Sequence, residues 1–388
     1  LGEDLVLYRD RSGALGLIGD RCPHRKVNML YGIPEQDGLR CPYHGWLFNA
    51  EGRCTDQPYE QAEDPGTTFK DKVGIAAYPV QELGGLIFAY LGPQPTPLLP
   101  RWDLFVWDDA MKDIGSTIIP CNWVQCMENS LDPVHVEWLH NHFSNYVLER
   151  MGRPDLKRKS FTNEQVTDVP WKHEKIGFDV FEHGILKRRL IAGETEENPN
   201  WRIGHPVVFP NILRVNTCFQ YRVPIDDDHT LHIWYTAHLV PPEHLSPQPE
   251  IPYYEVPVPE ADERGNPRWD LLDNNSGQDM LMWYTQGGIV DRSTEHLGLS
   301  DKGIILYRRQ LLDQLARLER GEELMNVFRD PARNQRIDLP WEGQERRGQG
   351  RFTALAAGRT AAAAKYSPVL GDLFARVEGA EALRQPVN

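Results

Sequence analysis

The feature that most restricts this chain is a pair of short Cys/His loops near its start. Cys22-Pro23-His24 is followed, after residues 25–40, by Cys41-Pro42-Tyr43-His44, giving the pattern C-x-H … C-x-x-H. Two thiolates and two imidazoles brought together can hold a metal centre. Prolines after both cysteines, with Gly32, Gly38 and Gly45 nearby, fit two tight loops at the tip of a β-structure. The flanking sequence agrees. From residue 1 to about residue 92 the chain reads as short β-type runs (DLVLYRD, ALGLIG, GLRCPYHGWLFN, VGIAAYPVQEL, GLIFAYLG) separated by Gly, Pro, Asn and Asp.

The spacing bears on which metal is held. Zinc knuckles separate paired ligands by two to four residues and do not mix a one-residue gap with a two-residue gap. A Rieske two-iron two-sulfur (2Fe-2S) cluster takes two Cys on one iron and two His on the other, so each loop should supply one of each. Cys22, His24, Cys41 and His44 meet that demand. Neutral imidazoles in place of thiolates raise the potential from about −400 mV into roughly −150 to +300 mV, which suits one-electron transfer. Cys54, Cys121, Cys126 and Cys218 share no metal spacing and read as small buried hydrophobes.

A chain of 388 residues has room for more than this module. Prolines cluster at Pro93, Pro95, Pro97 and Pro100, which disfavours helix and suits a connector. The expected division is an all-β cluster domain over residues 1–100 and a larger domain over residues 101–388. The fold class is therefore α+β: an all-β module, then a domain whose antiparallel sheet is flanked by helices. A helix is expected over residues 123–142 and strands over 185–191, 207–216 and 230–239, the last with period-two alternation in TLHIWYTAHLV. A long helix over residues 302–319 carries apolar Ile305, Leu312 and Leu315, and residues 343–364 read as an irregular excursion ending in a short helix. The chain begins at Leu1, inside what reads as a strand, so an upstream lead-in is expected.

Charge narrows the partners. With 42 Lys+Arg against 56 Asp+Glu the net charge is −14, a field that repels nucleic acid and anionic bilayers. No apolar run approaches the length of a membrane span. Six sparse cysteines favour a reducing cytoplasm.

A second constellation lies at residues 122–142. His135 and His140 follow Asp132-Pro133, but a five-residue step rotates about 140° on a regular helix, so the rings would not share a face. His142, seven residues from His135, is the easier geometric partner. A one-electron centre nevertheless needs an acceptor, and a non-heme iron held by two His and one carboxylate is the natural one.

The motifs C-P-H-R … C-P-Y-H-G-W and N-W-x-Q-x-x-E-N-x-x-D-P-x-H-x-x-x-x-H resemble the oxygenase subunits of Rieske non-heme iron ring-hydroxylating oxygenases, in the branch of phthalate dioxygenases and aryl-ether O-demethylases. The resemblance spans nearly the whole chain. It implies that His135 and His140 are iron ligands with an irregular, π-bulged turn between them. It implies Asp279, in the Gln278-Asp279 stretch ahead of a G-x-x-x-D-R motif at residues 287–292, as the third ligand, with Asp273 and Asp291 as ordinary surface acids. Asp132 would bridge His135 to a Rieske histidine of a neighbouring subunit, here His44.

The resemblance further implies a mononuclear Fe(II) beside the 2Fe-2S cluster, a homotrimer or stacked trimers, and a small aromatic substrate with O2. No strand-linked G-x-G-x-x-G is present, so NAD(P)H would be oxidised by a separate reductase, directly or through a ferredoxin. The expected reaction is O-demethylation of a methoxylated aromatic acid, with phthalate-type cis-dihydroxylation as the alternative. Lys187-Arg188-Arg189, Arg202 and Arg214 could hold an aromatic carboxylate, but a solvated strand face is expected for most of them.

Overall fold

Two compact units emerge in the computed structural model, one of residues 1–101 with 328–335 and one of residues 102–327 with 336–388. The structure describes residues 2–157, 172–240, 242–346 and 363–376; most of the expected excursion over 343–364 lies outside them.

The first unit is built from β1 (Leu5–Arg9), β2 (Leu15–Gly19), β3 (Ile33–Glu35), β4 (Gly38–Arg40), β5 (Leu47–Phe48), β6 (Cys54–Asp56), β7 (Ala77–Tyr78), β8 (Val80–Leu83) and β9 (Leu86–Ala89). They form a three-stranded sheet β1-β2-β7, a four-stranded sheet β3-β4-β5-β6 and a hairpin β8-β9. Period-two patterning decides the faces: Val6 and Tyr8 of β1 point into the core and Leu7 points out. Ile18, Met29, Leu39, Trp46 and Phe48 complete a core that also contains Cys22 and Cys41. The proline-rich connector is held by Asn334, whose amide donates to the Leu99 carbonyl (2.9 Å) and whose Oδ1 accepts from the Arg101 N–H (3.1 Å).

The second unit carries one eight-stranded sheet of β10 (Ala110–Ile119), β11 (His173–Phe181), β12 (Gly184–Ile191), β13 (His205–Val208), β14 (Ile212–Val215), β15 (Cys218–Pro224), β16 (Thr230–Leu239) and β17 (Tyr253–Glu255). The order is β11-β12-β13-β14-β15-β16-β10-β17. Every pairing is antiparallel except β10 with β17, so the sheet is mixed rather than wholly antiparallel. The expected strand over 207–216 is two strands, β13 and β14, because the chain turns back at residues 209–211.

The two faces of the sheet do different things. On one, the rings of Phe105, Phe219, Tyr221 and Tyr235 form an edge-to-face cluster. Arg214, one of the five basic residues of which most were expected on a solvated face, is fully buried beside it. Its Nη1 donates to both oxygens of Asp103 (2.9 and 2.8 Å) and to the Leu339 carbonyl, and Trp107, Phe219 and Trp341 surround the guanidinium. Burial raises the Asp103 pKa, and Arg214 opposes that rise. On the other face Ile185, Val207 and Leu213 pack against Met127, Leu131 and Tyr307 from the helices. Each such fully buried apolar side chain contributes about 1.5–3 kcal/mol.

Two helices depart from expectation. Residues 123–142 are not one helix: a helix over Trp123–Ser130 stops, and a short turn over His135–Glu137 leads into a π-helical stretch over Trp138–Phe143. Pro133 is the cause, since it lacks an N–H and disfavours helical geometry at Asp132. The helix over Lys302–Glu319 forms as expected, but Leu312 and Leu315 are exposed, at 66% and 48%. Its inward face is Gly303, Ile304, Tyr307 and Leu311 instead. Gly303 decides this, because a Cβ there would overlap Phe178 and the Leu131 carbonyl. No helix among the described residues is long and apolar enough to cross a membrane.

Candidate metal centres

The two Cys/His loops of the first unit are geometrically equivalent. Cys22 N–H donates to the Val27 carbonyl (2.9 Å) and Cys41 N–H to the Trp46 carbonyl (2.8 Å). Each is closed again by an i to i+4 bond, from Lys26 to Cys22 (2.8 Å) and from Gly45 to Cys41 (3.0 Å). The closing residues have positive φ, 61° at Lys26 and 75° at Gly45, which glycine adopts without strain. Both thiols are buried and free, whereas His24 and His44 are exposed, their ring centroids 4.4 Å apart. Burial, with the neighbouring Cys41 thiol, pushes the Cys22 thiol up to about 11. Buried sulfurs paired with exposed imidazoles fit a metal cluster with one buried and one exposed iron.

In the second unit His135, His140 and Asp279 come together although 139 residues separate His140 from Asp279. His140 Nε2 lies 3.2 Å and His135 Nε2 3.6 Å from Asp279 Oδ1. The π-helical stretch accounts for the shared face, since its wider turn absorbs the rotation that five residues impose on a regular helix. His142 is turned outward and stacks on Trp138 (4.5 Å), away from the group. Asp273 pairs with Lys365, and Asp291 caps a short helical turn through Ser293. Burial raises the Asp279 pKa, but His140, His135 and Arg222 bring the net shift below the ordinary carboxylate value. Three donor atoms of types that suit divalent iron therefore converge in a partly buried place.

The partners behind the imidazoles differ. Gln278 Oε1 faces His140 Nδ1 at 2.9 Å, and its Nε2 donates to the Leu272 carbonyl (2.8 Å). Asp132 Oδ1 accepts from the N–H of Val134 (2.8 Å) and of His135 (3.3 Å), so it caps the turn. Its Oδ2 lies 3.4 Å from His135 Nδ1, close enough for charge attraction but not aligned as a hydrogen bond, and that nitrogen has no other partner. Burial raises the Asp132 pKa, and His135, the Val134 amide and the charge of Lys187 together give a net lowering. Gln278 was not singled out from sequence. Its adjacency to Asp279 was the available signal.

The remaining motif residues clamp the segments that bring His135, His140 and Asp279 together. Gln125 donates to the carbonyls of Trp283 (3.3 Å) and Gly287 (3.0 Å) and accepts from the Val290 N–H (2.9 Å). Glu128 receives Arg292 (3.1 Å) and Arg308 (2.7 Å), and Arg308 also grips Glu295 with both arms. The helix over Asn275–Tyr284 is capped by Asn274, and at Gly277 a Cβ would overlap the Leu271 carbonyl, so only glycine lets Asp279 sit this close. A cavity of about 290 Å³ opens beside the site, with Glu128, Asp132, His135, Trp138 and Leu297 in its wall.

A cluster-binding β-module joined to a sheet domain with a two-His, one-carboxylate site defines the class: an oxygenase subunit that pairs a Rieske cluster with a mononuclear iron. Comparison with known proteins agrees. Residues 1–79 match the family described as Rieske [2Fe-2S] domain, and residues 272–336 match LigXa C-terminal domain like. The chain is 41% identical to the 5,5'-dehydrodivanillate O-demethylase oxygenase subunit of Sphingobium sp. (strain NBRC 103272 / SYK-6), across 88% of this chain and 76% of that one. It is 32% identical to the phthalate 4,5-dioxygenase oxygenase subunit of Pseudomonas putida, across 84% and 78%. The chain belongs to the Rieske non-heme iron oxygenases. Its fold is also that of NdmA from Pseudomonas putida CBB5 with caffeine, at TM-score 0.56 and 18% identity over 83% of this chain and 84% of that one.

Proposed function

We propose that this chain is the oxygenase component of an O-demethylase acting on a methoxylated aromatic acid, with Cys22, His24, Cys41 and His44 holding the 2Fe-2S cluster and His135, His140 and Asp279 holding the mononuclear iron. The convergence of both Nε2 atoms on Asp279 Oδ1, in a chain that also carries a Rieske domain, is the observation that carries this reading. Iron held by this ligand set would supply oxidation by O2, and the cluster would supply electrons singly. The demethylase branch rests on the 41% identity to a dehydrodivanillate O-demethylase subunit.

The protein's own groups prepare that chemistry. Gln278 accepts from His140 Nδ1, so the proton stays there and Nε2 keeps its lone pair for the metal. Asp132 holds the turn that begins at His135 and, in a homotrimer or stacked trimers, connects it to His44 of a neighbouring subunit. Exposed apolar side chains near both ends of such a contact support the assembly: Tyr31 and Tyr43 beside the cluster loops, and Trp138 and Leu299 in the second unit. Electrons come from a separate NAD(P)H-dependent reductase, directly or through a ferredoxin. A reducing cytoplasm suits the six free cysteines.

The overall change is Ar–OCH3 + O2 + 2e⁻ + 2H⁺ → Ar–OH + HCHO + H2O. Phthalate-type cis-dihydroxylation is the second reading, supported by the 32% relative. Placement of a methyl group or a ring edge nearest the iron decides between them. With a surrogate reductase, dehydrodivanillate or vanillate should release one formaldehyde per NADH consumed. Dihydrodiols from phthalate and no formaldehyde from any methoxylated acid would overturn the demethylase assignment.

A further inference from the structure

The five basic residues that sequence offered as carboxylate holders have separate fates in the fold. Arg214 is taken by Asp103. Arg188 pairs with Asp179 (2.5 Å) and donates to the carbonyls of Trp201 and Arg202. Arg202 is exposed and pairs with Glu345, and Arg189 faces the charges of Glu342 and Glu194. Lys187 differs. It is 6% exposed and makes no hydrogen bond or ion pair with any described residue.

Its position follows from strand register. Residues 185, 187, 189 and 191 of β12 share one face of the sheet. Ile185 packs against Met127 and Leu131, just before Asp132, and Ile191 packs against Val136, just after His135. Lys187 lies between these contacts, on the face that meets the segment carrying Asp132 and His135. Its cross-strand partner His205 is already committed to Asn200 (3.0 Å) and Glu342 (3.4 Å). On the same face Arg222 is fully buried, bonded to Gln220, and its Nε has no partner. The carboxylates in electrostatic reach of Lys187 are Asp132 and Asp279, both already engaged at the candidate iron site.

A buried ammonium without a counter-ion is among the costliest arrangements a fold can keep, and a chain retains one where an anion arrives from outside. Deep burial holds its pKa down, to about 7, which an arriving anion would reverse. We infer that Lys187 is a substrate-binding residue that receives the carboxylate of the aromatic substrate beside the mononuclear site. This rests on the oxygenase reading but not on demethylation: the same ion pair would orient a ring for either reaction. The lysine is a compact point charge rather than a fork, so it fixes one end of the ring and leaves the opposite end to be placed against the iron by shape.

The test is binding without turnover, on holoprotein with both metal centres, kept anaerobic and read by calorimetry. Dehydrodivanillate and vanillate are each compared with their neutral carboxamides. Wild type should bind each acid about ten- to hundredfold more tightly than its amide, the scale of one desolvated bond to a charged group. Lys187→Met should lose that preference and Lys187→Arg should keep most of it, with iron content and Rieske absorption unchanged. Equal affinity of wild type for acid and amide, or no binding of either acid, overturns the assignment and needs no variant. A preference lost when the phenol rather than the acid is blocked would also overturn it. Formaldehyde release plays no part in these readouts, so failure of the demethylase reading and failure of the lysine site are separately visible.

Discussion

Replacing Gln278 by leucine probes how the second unit orients His140, the proposed metal ligand. Gln278 is fully buried, and the Leu272 carbonyl at 2.8 Å from its Nε2 determines which way the amide points, because the opposite orientation would set two oxygens against each other. Oε1 therefore accepts from His140 Nδ1 at 2.9 Å and holds the ring in the tautomer whose Nε2 is free. Leucine leaves that N–H unpaired beside a histidine that is 4% exposed. An unsatisfied buried donor costs about 1–3 kcal/mol. At about 1.4 kcal/mol per factor of ten this is roughly a ten- to hundredfold loss of affinity, in line with the effect of removing an outer partner from a metal-bound histidine. The assay is titration of protein stripped at the mononuclear site with Co(II), followed by its visible absorption, with Fe(II) as competitor. Gln278→Leu should shift the midpoint by that factor while the Rieske absorption persists, and Gln278→Glu, which restores an acceptor, should bind at least as tightly as wild type. Wild-type affinity in the leucine variant would refute the reasoning, since the ring orientation would then not depend on the amide.

Two other expectations concern metal content and acid stability. Asp279→Ala should lower iron from about three to about two per chain, measured with acid-labile sulfide, and abolish oxygenation while the cluster spectrum remains; three irons in an active variant would make another acid the ligand. Asp10 is held below the ordinary carboxylate value by the Ser12 hydroxyl first, against burial, and then by the amides of Ala14 and Ser12. A lowered folded-state pKa means the unfolded chain binds the proton more readily. The stabilisation is thus complete above about pH 4 and is lost as pH falls through the folded value. Thermal midpoints of wild type should fall more steeply than those of Asp10→Asn between about pH 5 and 3; parallel slopes would contradict the assignment.

The Rieske loops were legible because everything that shapes them is local. Each ligand pair is two or three residues apart, each loop closes on its own backbone within six residues, and proline follows each cysteine, so spacing alone carries the geometry. Strands β12 and β16 and the helix over Lys302–Glu319 were legible for a related reason, since their patterns repeat over eight or more residues. Periodicity did not reveal which helix face turns inward. That depended on Gly303 meeting the Leu131 carbonyl, a contact across 172 positions of chain.

What the sequence determined by itself is the pair of Cys/His loops in an all-β module and the α+β class; the single helix expected over 123–142 gave way to the break at Pro133. Tertiary structure decided where the pieces meet. A regular helix separates His135 from His140 by about 140°, and the π-helical stretch brings both toward Asp279. Sequence offered five basic residues as carboxylate holders and put most of them on a solvated strand face, because lysine and arginine are rarely buried unpaired. Yet residues 187 and 188 point to opposite faces of one strand, and only the packing of helices onto the sheet made one of those faces interior. Burial is a property of what covers a residue, and the cover here comes from chain segments 50 to 120 residues away, at Met127, Leu131, Val136 and Tyr307.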